Sequence, residues 1–169
     1  MDPLAEQHRS WNMGRIRSTD TLPELAVRSI LHRLGFRFRV HCRELPGKPD
    51  ILLPKYRTAV FIHGCYWHRH PGCKKATTPK TNRTFWLSKF KANITRDKRN
   101  QAKLVELGWS VITIWECEIL KDPVEASLSI CRKLPGCIVE HLDLSRLPTS
   151  KEILRYSAKR RDLKLAKTE

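Results

Sequence analysis

The thirteen residues Phe61-Ile62-His63-Gly64-Cys65-Tyr66-Trp67-His68-Arg69-His70-Pro71-Gly72-Cys73 constrain this chain more than any others. An apolar run, Ala59 to Ile62, reaches them as a buried strand would and stops at His63-Gly64. Beyond it the stretch has no helical or strand period. Such a loop has too little apolar surface to offset its ordering entropy, so it needs another staple. Cys65-x4-His70-x2-Cys73 supplies three nitrogen and sulfur ligands, and a tetrahedral structural zinc site takes four. Cys117, just past a predicted strand end, is the natural fourth donor, although the spacing also admits His68 or His63. Cys42, Cys131 and Cys137 have no partner at ligand spacing and read as core or surface thiols.

Charge narrows the partner. There are 33 Lys and Arg against 17 Asp and Glu, a formal +16, with a pI near 10.0. That balance points to nucleic acid. Acidic lipid is the weaker reading, because no basic helix has a clean apolar face. The charge is also unevenly placed. No acid occurs between Asp50 and Asp97, and Lys74 to Lys103 holds ten cations with Asp97 as the sole anion. A phosphate-binding surface accounts for the cations. It does not account for the two carboxylates that bracket them. At 169 residues the chain suits one domain with tails. The absence of a signal peptide and of a membrane-length apolar run predicts a soluble, cytoplasmic protein. There, six cysteines are metal ligands or core residues rather than disulfides.

Residues 1 to 20 lack apolar periodicity and read as a mobile arm, either a disordered terminus or one that orders on DNA. Thr21-Leu22-Pro23-Glu24 has the form of a capping box before the stripe Val27, Ile30, Leu31 and Leu34, ended by Gly35. Phe36 to Val40 alternates as a half-buried strand. A turn at Leu45-Pro46-Gly47-Lys48-Pro49 leads to a short strand, Ile51 to Leu53, and a hairpin to Thr58 to Ile62, so the three strands form an antiparallel meander. A long helix follows from about Arg83 to Leu107, with Trp86, Phe90, Ile94, Leu104 and Val105 as its apolar stripe and Asp97 and Gln101 on the same face. Trp109 to Trp115 alternates as a strand able to lie parallel to the one before the loop. A helix capped by Asp122 runs to about Lys133, and the tail has helical capacity from Ser150 to Lys167. The domains read as an arm over 1–20, a body over 21–135 and a basic extension over 136–169.

A chemical reading follows from placement. The hairpin brings the Asp50 carboxylate near residues 62 and 63. A carboxylate with few other protein ligands suits magnesium, which keeps waters and takes substrate phosphate oxygens. Imidazole titrates near neutrality, which suits His68 to take a proton from water. Tyr66, Trp67 and Trp86 lie in a polar, basic setting where wedging between base steps is the functional reading. Alone, Asp50 is a turn aspartate after proline, Glu24 a capping residue and Asp97 an ion-pair residue. Asp50 in the company of His68 and Asp97 suggests a site, while Glu24 stays a capping residue on this reading.

In these residues the chain resembles the very short patch repair (Vsr) mismatch endonucleases, over roughly residues 8 to 135. The resemblance is carried by Asn12-Met13, Thr19-Asp20-Thr21, Leu45 to Asp50, Phe61 to Cys73, Thr84-Phe85-Trp86, Asn93, Arg96-Asp97, and Leu107-Gly108-Trp109 through Trp115-Glu116-Cys117. It implies a restriction-endonuclease-like three-layer α/β fold, with a central mixed sheet flanked by helices and a structural zinc site. It implies nicking 5′ to the thymine of a T:G mismatch left by deamination of 5-methylcytosine. By the same resemblance Asp50 and the main-chain carbonyl of Ile62 hold one or two magnesium ions, and His68 is the base with Asp97 beside it. Glu24 and His63 orient metal-bound waters, and Cys65, His70, Cys73 and Cys117 hold one zinc. Tyr66, Trp67 and Trp86 form the intercalating wedge, with Met13 and Ile16 supporting it from the other groove. The expected partner is double-stranded DNA with a T:G mismatch, met by a monomer working on the bacterial nucleoid and with mismatch-repair proteins. The acidic-x-lysine half of the usual restriction-enzyme motif is missing, so no lysine is expected in the site. A restriction or nicking enzyme of the same fold needs no mismatch, and a non-catalytic zinc-containing DNA-binding protein leaves Asp50, His68 and Asp97 unexplained.

Overall fold

The computed structural model describes residues 19–165. Among them one mixed sheet holds β1 (Ile51–Leu53), β2 (Thr58–His63) and β3 (Ser110–Trp115) in that spatial order. β1 and β2 are antiparallel, with Ile51 opposite Val60. β2 and β3 are parallel, from Thr58 opposite Ser110 to His63 opposite Trp115. The α-helices of the described residues are α1 (Leu22–Arg33), α2 (Arg83–Glu106), α3 (Glu116–Lys121), α4 (Pro123–Arg132) and α5 (Ser150–Leu165).

Side-chain alternation along the strands divides the core in two. Ile51, Leu53, Val60, Ile112 and Ile114 face a cluster with Val27, Ile30 and Leu31 of α1, Ile119 of α3, Ile130 of α4 and Ile153 of α5. Leu52, Ala59 and Phe61 face the opposite way, onto Leu104 of α2 and Cys42. Helices therefore cover both faces, which a parallel pair requires. The tail is part of this body, since Ile153 is buried in the larger cluster.

α1 starts at Thr21 in the expected capping box, and Asp122 caps α4 by accepting from the Val124 and Glu125 amides, both at 3.1 Å. The α2 terminus turns through Gly108 at φ 77°. Its last carbonyls are taken by Arg57, with Nη2 donating to Leu107 and Nε to Gly108, each at 3.2 Å.

Two expectations change. Phe36 to Val40 does not form a strand; only Arg39 bridges Leu52, by a reciprocal pair of hydrogen bonds at 2.8 and 2.9 Å. His41, at φ 50°, turns the chain off the ladder immediately afterwards, so the meander shrinks to a hairpin with one bridge. Val105 does not belong to the stripe of α2, being exposed. β3 ends at Trp115 as expected, and Glu116 and Cys117 form the first turn of α3. No helix of the described residues is long and apolar enough to cross a membrane. Met13 and Ile16, and all of the arm before residue 19, lie outside the described residues.

Candidate active site

The hairpin carries Asp50 to the edge of β2. Gly47 makes the preceding turn at φ 76°, in a space where a Cβ would come within 3.1 Å of Asn100 and 3.2 Å of the Phe61 ring. The Asp50 carboxylate then accepts from the Ile62 amide, Oδ2 to N, at 2.7 Å. Burial pushes the Asp50 carboxyl up to about 7, against that hydrogen bond, and the nearby Glu24 carboxylate adds to the rise. In an antiparallel pair a residue turns its N–H and C=O to the same neighbour, so the Ile62 carbonyl leaves β2 on the Asp50 side.

Beside it stand two imidazoles and a second carboxylate. His68 Nδ1 meets Asp97 Oδ2 at 2.5 Å, joining the loop after β2 to the middle of α2. A carboxylate accepts, so Nδ1 carries a proton, and in the neutral ring Nε2 is the acceptor nitrogen. Burial alone would raise the Asp97 carboxyl, but the His68 hydrogen bond and the His68, His63 and Arg96 charges hold it below its ordinary value. His63, at the end of β2, stacks on His68 with centroids 3.9 Å apart and planes at 13°. Burial, reinforced by the His68 charge, pushes His63 down to about 4, so it is neutral at pH 7. The ring atoms of His63 and His68 and a carboxylate oxygen of Asp97 lie within 4.8 Å of one another.

Behind Asp50, on α1, Glu24 is buried. Its carboxylate accepts from the Asp20 amide at 3.0 Å and the Thr21 hydroxyl at 2.8 Å, and pairs with Arg28 at 2.7 Å. Arg28 and His41 were not singled out by the sequence, although an acid followed four residues later by arginine is a legible helical pair.

The expected cysteine cluster assembles in full. Donor atoms of Cys65, His70, Cys73 and Cys117 all lie within 4.8 Å of one another and could hold a metal ion. His70 Nδ1 is 3.2 Å from the Cys117 sulfur and 3.7 Å from that of Cys65. Parallel pairing explains the meeting, since β2 and β3 end at the same edge. Burial pushes the Cys65 thiol up to about 12. The Lys75 amide and neighbouring thiols hold Cys73 below its ordinary value. Two further contacts brace the loop: the His70 ring stacks on Trp115 at 4.2 Å, and Glu116 accepts from the Cys65 amide at 3.3 Å. Trp115 and Glu116 entered the resemblance beside Cys117 without a role of their own.

Tyr66, Trp67 and Trp86 also come together. Tyr66 and Trp67 rings meet edge to face at 5.0 Å, and Trp86 lies 6.1 and 6.2 Å from them. Buried Phe90 supports Tyr66 at 5.2 Å, and Asn93 donates to the Trp67 carbonyl at 3.1 Å. The aromatic group and His68 are thus held by one loop against one helix.

A family model described as DNA mismatch endonuclease Vsr matches residues 1–75. The chain is 46% identical over 118 residues to the type II nicking enzyme V.XorIIP of Xanthomonas oryzae, covering 70% of this chain and 86% of that protein. It is 43% identical over 141 residues to the type II nicking enzyme V.NmeAIP of Neisseria meningitidis, covering 83% and 96%. To the DNA mismatch endonuclease Vsr of Escherichia coli it is 43% identical over 111 residues, covering 66% and 70%.

Proposed function

The chain belongs to the Vsr family of endonucleases, and on that premise we propose that it nicks DNA 5′ to the thymine of a T:G mismatch in a magnesium-supported hydrolysis. The observation that carries this reading is the His68–Asp97 pair beside the Asp50 carboxylate, at the lip of a stretch that holds cations and almost no acids. A binding module has no use for an oriented imidazole whose charge is felt by a desolvated carboxyl. We read the sheet with helices on both faces as a restriction-endonuclease-like core, acting as a monomer in the cytoplasm.

Asp50 and the Ile62 carbonyl would hold magnesium. Support comes from the carboxyl itself, pushed up to about 7 with Glu24 nearby, an environment that a divalent cation relieves. Magnesium supplies charge neutralisation at the scissile phosphate and a more acidic water. The protein does the rest. Asp97 holds the His68 proton on Nδ1, and Nε2 accepts the proton of the attacking water as its oxygen bonds to phosphorus. The phosphorus–oxygen bond to the leaving strand end breaks, its electron pair goes to the departing oxygen, which takes a proton from solvent water, and Asp97 stabilises the imidazolium that has formed. His63, neutral and stacked on His68, fixes the ring plane without adding a competing charge. Glu24 and His63 orient waters at this edge.

Cys65, His70, Cys73 and Cys117 would hold zinc. A sulfur and a nitrogen on one tetrahedral zinc lie about 3.5 Å apart, and the His70 Nδ1 distances to the Cys117 and Cys65 sulfurs, 3.2 and 3.7 Å, bracket that spacing. The metal serves geometry, because the stapled loop carries both His68 and Trp67. Tyr66, Trp67 and Trp86 enter the duplex at the mismatch, where a wobble pair costs less to unstack than a matched one.

The test is a strand-labelled duplex with one T:G pair, run beside its matched counterpart in several flanking contexts, with and without chelator. The expected product is a magnesium-dependent nick in the thymine strand of the mismatched duplex alone. Equal cutting of both duplexes favours a nicking enzyme without mismatch selectivity. Binding with no cut in any context contradicts the nuclease reading.

A further inference from the structure

The chemistry above leaves one buried cation unused. Arg28 sits one turn beyond Glu24 on α1 and is 8% exposed. Its Nη1 donates to Asp20 Oδ1 at 2.6 Å. Its Nη2 donates to Glu24 Oε2 at 2.7 Å and to the Asp50 main-chain carbonyl at 3.1 Å, and meets His41 Nε2 at 3.0 Å. Guanidinium nitrogens only donate, so His41 Nε2 is an acceptor here and the two Nη2 hydrogens serve three acceptors. Asp20 and His41 reach the group from backbones at φ 54° and 50°. That region costs a residue with a side chain about 1 kcal/mol or more, and such strain persists only where neighbours hold it.

Chain segments at 20, 24, 41 and 50 therefore converge on one guanidinium, and the last is the main chain of the residue that faces Ile62. We propose that Arg28 is the positioning residue of the cutting site. It holds the Asp50 backbone, and so the aim of its carboxylate, while its charge offsets that of Glu24 and lets two carboxylates share one edge. The inference rests on the nuclease reading for its consequence and on these contacts for its geometry. Lysine keeps the charge but lacks the fork, so it reaches one or two of the four partners at a time.

The full-length Arg28→Met and Arg28→Lys variants test this through four readouts. These are melting temperature, duplex affinity without metal, manganese affinity of the protein alone, and single-turnover nicking across a magnesium titration. The expected pattern is duplex affinity within about twofold of wild type, manganese affinity weakened about tenfold and the saturating nicking rate lowered about thirtyfold in both variants. Arg28→Lys keeps a melting temperature near wild type, which separates positioning from folding if Arg28→Met does not fold. A folded Arg28→Lys with manganese affinity and nicking rate both within threefold of wild type overturns the inference. A wild-type protein that nicks no duplex overturns the nuclease reading instead, and the manganese comparison then still decides whether Arg28 sets the carboxylates.

Discussion

At the scale of single side chains, burial makes the Asp50 carboxylate costly to charge. Its folded-state proton affinity exceeds that of the unfolded chain, for which an ordinary Asp value is about 3.9. Its contribution to stability is therefore full below that value and lost as pH rises through about 7. Asp50→Asn keeps an acceptor for the Ile62 amide and removes the charge. In chelator it should melt several degrees above wild type at pH 8, with the difference gone near pH 4, while nicking is abolished. Equal melting at pH 8 would contradict the buried carboxylate. Asp97 has the opposite balance, since the His68 contact outweighs burial. Asp97→Asn frees the imidazole to adopt the other tautomer, so single-turnover nicking should fall by about 10²–10⁴-fold with duplex affinity unchanged. The sequence shows these residues because their types are unusual where they stand: a carboxylate on the inner face of a basic helix, and more histidines than one zinc uses. Arg28 and His41 escaped notice because an arginine four residues after a glutamate looks like any helical ion pair. Its destination, the Asp50 carbonyl, is a tertiary contact.

At the scale of elements, two structures position the site. The Gly47 turn sets Asp50, and the loop between β2 and α2 sets His68. On the proposed reading, removing a ligand from the cysteine cluster frees that loop. Cys117→Ala should lower the zinc content of the purified protein and its melting temperature together, and nicking should fall although no reacting group has changed. Unaltered zinc content would remove Cys117 from the ligand set. The helices and the parallel pairing of β2 with β3 are legible because periodicity, caps and the intervening helix agree. Phe36 to Val40 is the instructive exception. Alternation suits it to a strand, but the left-handed turn at His41 limits it to one bridge. That turn places His41 against Arg28, so a local rule yields to the site's geometry.

The whole molecule carries +16, with its cations concentrated on and before α2. Each phosphate neutralised releases counterions, so log affinity for duplex should fall linearly with log salt, with a slope of about −0.9 per contact. A slope near zero would place the charge off the binding surface. On the proposed reading the aromatic group sets mismatch preference, which should survive as a ratio across that salt range. Tyr66, Trp67 and Trp86 were legible as a set by their basic surroundings. The docking of α5 through Ile153 was not, because a single buried isoleucine in a basic helix gives a weak stripe. The central claim is that one site, built around an oriented imidazole, cuts the strand. The most direct measurement is the single-turnover rate of His68→Ala on the T:G duplex at saturating magnesium, with zinc content and duplex affinity checked in parallel. A loss of at least about 10³-fold with both controls unchanged is the predicted result. A rate within threefold of wild type would contradict the account and place the proton acceptor elsewhere.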